Sequence, residues 1–317
     1  MSKKPLFSVI LLNFNGKDYT IDCIDSVLKS DYPNFELVII DNASTDGSFA
    51  VLKKKYLKNK RVRIFRSESQ LHFCGGNNLG AKKAKGEKII LLNNDTIVDK
   101  NWIKELALFS ENHPKWMVQP KILNFKNRKI IDSVGSKYSF GGIGRGGGYG
   151  QEDRGQYNRN YRVDFCAGAC FMIDKNFFFE LGGLDEWFQI HYEDADLALR
   201  AKKAGGECWY CHKSVIYHKG SLTLNTQVAK EKTLINTRKN RLITVIKNFS
   251  GWERIARLLT LFPSYCFLII QDLASRKRER ALITLKAFFA VLTKVCQKRF
   301  SPEGKKSKKE SLSFTSP

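Results

Sequence analysis

The sequence predicts an α/β protein, a mixed and mostly parallel sheet flanked by helices, ending in a basic amphipathic helical tail. Three observations predict it. Short runs rich in Val and Ile recur with room for a helix between them, polar clusters stand at the carboxyl ends of those runs, and positive charge gathers in the last quarter of the chain. Parallel strands need a long crossover, usually a helix, so this alternation reads as βαβ units.

The runs Phe7 to Leu12, Leu37 to Ile40, Val62 to Phe65 and Lys88 to Leu92 are the expected strands, each separated from the next by a segment with helical spacing. Ligands of such a sheet lie beyond the carboxyl ends of its strands. There the chain carries Asn13-Phe14-Asn15-Gly16, Asp41-Asn42 and Asn93-Asn94-Asp95, so three strand ends are expected to face one crevice. Downstream of Lys121 the pattern loosens, and the glycine-rich stretch from Gly135 to Gly150 reads as a flexible loop or lid over the site. A second apolar block, Ala167 to Ile173, precedes a short helix from Lys175 to Leu181. A further helix opens near Glu193, where the helix dipole favours the carboxylates of Glu193, Asp194 and Asp196.

With 43% hydrophobic and 12% aromatic residues among 317, the chain can bury a large core despite a formal net charge of +23. From Arg241 to Pro317 there are 16 Lys and Arg against 5 Asp and Glu. The expected organisation is an α/β domain over 1–240, an amphipathic helical region over 241–300 that associates with membranes, and a disordered basic tail over 301–317. Two apolar stretches, Leu258 to Ile270 and Leu282 to Val295, are each shorter than the roughly 20 residues of a membrane span. Pro263 lies in the first, and Lys286 and Lys294 interrupt the second. Short apolar helices bracketed by Lys and Arg suit an anionic membrane surface, at about 1 kcal/mol of attraction per basic residue. Removing the segment from Arg254 to Pro317 is expected to release the chain from anionic vesicles. Nucleic acid, the competing partner, is set aside because the segment is too apolar for a phosphate-binding arm and carries no zinc finger, helix-turn-helix or RNA-binding signature. After Met1-Ser2-Lys3-Lys4-Pro5 only seven apolar or small residues precede Asn13, too few and wrongly flanked for a signal peptide. The chain is therefore expected in the cytoplasm, peripheral on the inner face of the cell membrane, with its eight cysteines as reduced thiols.

Three clusters carry the chemistry. Asp95, with the amide oxygen of Asn93, can hold a hard cation such as Mg2+ or Mn2+ that keeps positions open for phosphate oxygens; alone, the triplet reads equally well as an Asx turn closing a strand. His218, after Ser214-Val215-Ile216-Tyr217, can add an imidazole to the same ion, although a lone His after a strand is often structural. Asp194, with Glu193 beside it, can take a proton from an attacking hydroxyl, against the plainer role of a helix cap. Asp196 can pair with Arg200 one turn on. A cation site and a base suit an enzyme that moves a group off a nucleoside diphosphate. Other patterns are set aside. Gly142-Ile143-Gly144-Arg145-Gly146-Gly147 matches a dinucleotide motif but does not follow the first strand of a βαβ unit. Cys208-Trp209-Tyr210-Cys211-His212 matches a haem-attachment string whose chemistry belongs outside the cytoplasm. A zinc site of Cys166, Cys170, Cys208 and Cys211 is disfavoured because its first pair lies within an apolar strand pattern.

The succession Ser8-Val9-Ile10-Leu11-Leu12-Asn13-Phe14-Asn15-Gly16, Val38-Ile39-Ile40-Asp41-Asn42-Ala43-Ser44-Thr45-Asp46-Gly47-Ser48, Gly75-Gly76-Asn77-Asn78-Leu79-Gly80, Leu91-Leu92-Asn93-Asn94-Asp95-Thr96 and Tyr192-Glu193-Asp194-Ala195-Asp196-Leu197 resembles family 2 glycosyltransferases, the rhamnosyltransferase-like branch most closely. The resemblance runs from about Ser8 to Lys247 and includes Arg238-Lys239-Asn240-Arg241. It implies a GT-A fold and transfer of a sugar, with inversion, from a dTDP- or UDP-linked donor, dTDP-rhamnose among the candidates. The acceptor it implies is a hydroxyl of a lipid-linked or cell-surface glycan. By the same resemblance Asp41 bonds the pyrimidine and Asn13 lines the nucleotide pocket, with Asn15, Asn78 and Asn94 as further donor contacts. Asn93-Asn94-Asp95 takes the place of the family's DxD motif with Asp95 on the cation, Asp194 is the catalytic base, and His218 ligates the metal or touches the diphosphate. Two departures stand out. Gln70-Leu71-His72-Phe73 replaces the family's Asn-x-Gly-Phe, putting His for Gly, and Asn93 removes one negative charge from the DxD place. A sugar nucleotidyltransferase, the rival enzyme, would open with a glycine-rich basic loop that is missing after the first strand. A non-catalytic membrane or nucleic-acid binding protein built on a degenerate transferase would be favoured by loss of Asp95 or Asp194, and both are present.

Overall fold

The computed structural model describes residues 4–139, 142–220 and 227–300. The four apolar runs form β1 (Phe7–Asn13), β2 (Phe35–Asp41), β3 (Val62–Arg66) and β4 (Lys88–Asn93), crossed by α1 (Lys17–Leu28), α2 (Ser48–Tyr56) and α3 (His72–Lys83). These strands are all parallel, in the order β3-β2-β1-β4. Helices cover both faces, so all seven residues of β2 are buried and the strand reads as a continuous apolar run. The glycines of α3 have a packing reason. A Cβ on Gly76 or Gly80 would stand 2.3 Å from Leu12 or Ile10, so only glycine lets this helix lie against β1.

Beyond β4 come β5 (Thr96–Val98), α4 (Trp102–Ser110), β6 (Trp116–Asn124), β7 (Ile131–Ser133), β8 (Ser136–Ser139), β9 (Gly142–Gly146), β10 (Tyr161–Val163), β11 (Cys170–Asp174), α5 (Lys175–Glu180), α6 (Glu193–Lys203) and β12 (Glu207–His218). Antiparallel β11 joins β4 to β6, β12 and β10 follow, and β5 and β7 attach at the site end. The glycine-rich stretch is not a structureless lid. It carries the β8–β9 hairpin, held by Tyr138, whose ring stacks on Phe165 at 5.0 Å and whose hydroxyl donates to the Ala195 carbonyl. Residues 140 and 141 of this stretch lie outside the described residues. Cys166, Cys170, Cys208 and Cys211 are buried free thiols, and the haem-like string runs along β12.

The chain continues as α7 (Gln227–Asn248), α8 (Gly251–Ala274) and α9 (Arg278–Phe300). No break in secondary structure falls at residue 240. Helix α7 passes through that point unbroken, because Asn240, Leu242, Ile243 and Val245 are buried against the body. Helix α8 is longer than its apolar stretch suggested. It runs 24 residues through Pro263 and is long and apolar enough to cross a membrane, by length and composition. A buried cluster ties the three helices together. The Arg238 guanidinium reaches Asp272 at 3.0 Å and also Thr284, and the Tyr265 hydroxyl donates to the Arg238 carbonyl. Residues 301–317 lie outside the described residues.

Candidate active site

The carboxyl ends of β1, β2 and β4 open on a cavity of about 740 Å³. Phe14, Asn42, Asn93, Asn94 and Asp95 follow those strands onto its wall, His218 ends β12 there, and His191 to Asp194 come from the start of α6. Thr233, Asn236 and Thr237 of α7 close another side.

On one wall, β5 pairs with β12 so that Thr96 faces His218, which brings Asp95 beside the imidazole. His218 Nε2 lies 3.3 Å from Asp95 Oδ1, yet the two are misaligned for a hydrogen bond and both atoms are buried without a partner. The other ring nitrogen, Nδ1, is 2.7 Å from Asp132 Oδ2. A carboxylate only accepts, so Nδ1 carries the hydrogen. Burial works to lower the His218 pKa, but the Asp132 hydrogen bond and the charges of Asp95 and Asp132 outweigh it and raise the ring to about 10, so without a metal the imidazole is protonated and ion-paired with Asp95. A carboxylate oxygen and a ring nitrogen lie side by side, buried and with no hydrogen-bond partner, and a divalent cation that displaces the Nε2 proton would fit between them, its other positions left to a diphosphate. Among the described residues no cluster of three His, Cys, Asp or Glu forms a closed cage. Asn93 lines the same wall, and the Asn94 amide donates to Thr20 Oγ1 at 2.8 Å.

Facing this wall is the first turn of α6. The Asp194 carboxylate accepts from Gly168 N–H at 2.9 Å and Ala195 N–H at 2.7 Å. A Cβ on Gly168 would lie 3.1 Å from Glu193 Oε1 and 3.4 Å from Asp194 Oδ2, so glycine leaves room where any other residue would press on Glu193. Burial raises the Asp194 pKa to about 6, against the opposing pull of the two backbone N–H groups. Glu193 is raised well above its ordinary value by burial and then by the Asp194 charge. A carboxyl group poised near neutral pH is suited to proton transfer. Asp196 faces inward instead, bonded to Arg200 at 2.8 Å, Lys247 at 2.9 Å and Asn248 at 2.7 Å, and so joins α6 to α7.

Asn13 and Asp41 meet as neighbours across β1 and β2, beneath the cavity and not on its wall. The Asn13 amide donates to Asp41 at 2.8 Å, to Ser48 at 2.9 Å and to Ser44 at 3.1 Å, and both residues are fully buried. Arg66 Nε stands 3.5 Å from Asp41 Oδ2. Asn15 is exposed, and its Oδ1 accepts from Thr45 N–H at 2.7 Å. Asn78 is not brought to the cavity. The turn of α3 points it the other way, where its amide donates to the Leu184 carbonyl at 2.8 Å and its Oδ1 accepts from Leu184 N–H at 2.9 Å.

Asp132 and Gly168 were missed by sequence reasoning, and nothing local marks them. His72 did carry a signal. The residue that replaces the family's glycine has φ of 54°, in the left-handed region that favours glycine, and it lines the cavity.

The family described as Glycosyl transferase family 2 matches residues 8–182, more than half of the chain. The chain is 25% identical over 244 residues to the uncharacterized protein y4gI of Sinorhizobium fredii, covering 73% of this chain and 26% of that protein. It is 33% identical over 101 residues to Glycosyltransferase GlyG of Streptococcus pneumoniae, covering 32% and 34%, and 26% identical over 209 residues to the O-antigen biosynthesis protein RfbC of Myxococcus xanthus, covering 63% and 16%. The matches thus span well under half the length of these relatives. Among solved structures, GalNAc-T7 with UDP, GalNAc and Mn2+ superposes with a TM-score of 0.62 at 22% identity over 78% of this chain and 48% of that one. The mannosyltransferase PcManGT of Pyrobaculum calidifontis, in complex with GDP-Man and Mn2+, gives 0.58 at 11% identity over 92% and 88%. These likenesses establish the shared GT-A fold, and with the family match they lead to one conclusion: the chain belongs to glycosyl transferase family 2.

Proposed function

We propose that the chain is an inverting, metal-dependent transferase that moves a sugar from a pyrimidine nucleoside diphosphate, dTDP-rhamnose among the candidates, to a hydroxyl of a lipid-linked or cell-surface glycan. The observation that carries this reading is one cavity with a carboxyl group poised near neutral pH on one wall and, on the other, the buried Asp95–His218 pair whose facing atoms make no hydrogen bond. Asp194 accepts the proton of the acceptor hydroxyl while that oxygen attacks the anomeric carbon. The new carbon–oxygen bond forms as the bond to the diphosphate breaks, on the opposite face of the sugar, so a single displacement inverts the centre without a nucleophile from the chain. Glu193 beside it, whose ionised form burial and the Asp194 charge disfavour, opposes a second negative charge in the pocket. Asp41, held by Asn13 beneath the cavity, is the group for the pyrimidine, with Asn94 on the wall and Asn15 as further donor contacts. Asp95 and His218, with Asn93 alongside, would hold Mg2+ or Mn2+, which when bound neutralises charge on the departing diphosphate. The presence of Mn2+ with UDP in GalNAc-T7 and with GDP-Man in PcManGT supports that assignment.

The membrane belongs to the same reading. Trp252, Leu259, Phe262, Phe267 and Ile270 of α8 and Leu282 and Phe289 of α9 are exposed, and Arg276, Lys277, Arg278 and Arg280 are exposed at the turn between these helices. An apolar face with a basic edge suits the headgroup layer of an anionic membrane, on the cytoplasmic side. The deciding experiment offers UDP, dTDP and GDP sugars with divalent metal and membrane lipids to wild type, Asp95→Ala and Asp194→Asn. Release of one nucleoside diphosphate by wild type alone is expected; neither release nor binding of any donor by wild type would sink the reading.

A further inference from the structure

The segment that delivers Asp194 is held in an unfavourable backbone by a residue on a distant helix. Gln189, His191 and Tyr192 have φ of 61°, 69° and 72°, and none is glycine. Each such residue costs of order 1 kcal/mol or more, so the segment keeps this shape only if its surroundings impose it. On one side, Phe73 and Cys74 N–H donate to the Gln189 carbonyl, both at 3.1 Å. On the other, the fully buried Asn240 of α7 donates through Nδ2 to three carbonyls of the segment, Phe188 at 2.8 Å, Ile190 at 2.9 Å and His191 at 2.7 Å. Its Oδ1 is buried without a donor, so what the side chain contributes here is its N–H groups.

We propose that Asn240 is a positioning residue for the transfer reaction. It collects three carbonyls that would otherwise diverge, stabilises the left-handed turn at Gln189 to Tyr192, and so sets the start of α6 and the direction of the Asp194 carboxylate. Helix α7 is itself fixed, because Arg238, two residues earlier, is bonded to Asp272 of α8 and Thr284 of α9. The clamp therefore rests on all three C-terminal helices. Asp95, in the turn after β4, and His218, at the end of β12, lie on other elements, so loss of the clamp should impair the base and spare donor binding.

The inference rests on Asp194 being the base, and the test separates the two. Wild-type chain must first release nucleoside diphosphate and Asp194→Asn must lose it; failure there overturns the proposed function itself. Given that activity, Asn240→Ala and Asn240→Asp are compared with wild type. Asp has the shape of Asn but sets an oxygen against the three carbonyls. The expected result is kcat lower by about 100-fold, the scale of a misplaced catalytic group, with the Kd for Mn2+ and nucleoside diphosphate within about threefold of wild type. Hydrogen exchange should speed up at 189–194 and not in β1, β2 or β4. Asn240→Ser, which restores a donor, should recover part of kcat. Wild-type kcat in a folded Asn240→Ala, or a Kd that rises in step with the fall in kcat, overturns the proposal. Should neither variant fold, rapid exchange at 189–194 in the wild type would overturn it as well.

Discussion

Replacing Asp194 by Asn tests the electrostatics of the site apart from its chemistry. An aspartate in an unfolded chain titrates near 3.8, whereas burial raises Asp194 to about 6 in the folded state. A group whose folded pKa is raised contributes stability that is full below the unfolded pKa and is lost as pH rises through the folded one. At pH 5 the folded chain keeps a proton that the unfolded chain has mostly released, worth on the order of 1 kcal/mol, and at pH 8 neither keeps it and the contribution is near zero. The amide introduced by Asp194→Asn cannot titrate. Urea unfolding at pH 5 and pH 8 should therefore show a wild-type stability that falls between the two by on the order of 1 kcal/mol more than that of Asp194→Asn. Any constant penalty, such as setting the new amide against one of the two backbone N–H groups, cancels between the two pH values. Glu193 loses a neighbouring charge in the variant, which moves its own titration down and acts in the same direction. In the active protein the same group should make kcat/KM rise tenfold per pH unit below about 6 and level off above it. Equal pH dependence of stability in the two proteins would refute the burial argument for Asp194.

Asp132→Ala should weaken Mn2+ binding by about 10- to 100-fold, since the carboxylate that orients the His218 ring is lost; Mn2+ electron paramagnetic resonance measures it, and unchanged affinity would count against a metal role for His218. His72→Gly should leave the melting temperature unchanged or raise it, by up to about 1 kcal/mol of stability, because φ of 54° is relieved; a lower melting temperature would show that the ring is packed in place. Phe262→Glu with Phe267→Glu should reduce co-sedimentation with anionic vesicles by at least about tenfold, as two exposed apolar rings leave the docking face, and retained binding would remove that face from the membrane.

The four parallel strands were legible because strands covered on both faces must be apolar throughout, and their polar ends must follow. Asp95 and Asp194 were legible for a related reason: an acidic residue just past a buried strand or at the first turn of a helix sits where the geometry of this sheet opens. The hairpin of β8 and β9 was hidden by its glycines, which lower propensity without forbidding a strand when Tyr138 and Phe165 hold it. Charge and apolar content near 240 describe a segment's surface, and they could not show that Asn240, Leu242, Ile243 and Val245 are buried within one continuous helix.

The sequence alone determined the α/β class, the strand ends that face the cavity, and the acidic and imidazole side chains that come to line it. These follow from side-chain periods and strand termini, which are local. Only the tertiary structure decided that Asp132 lies against His218 across 86 positions, that Gly168 admits the Glu193–Asp194 pair, that Asn78 faces away, and that Asn240 grips the turn before α6 across about 50. Each of these contacts depends on strand order, on register, or on the face a helix turns to its neighbour, and all three are set by how the whole chain packs.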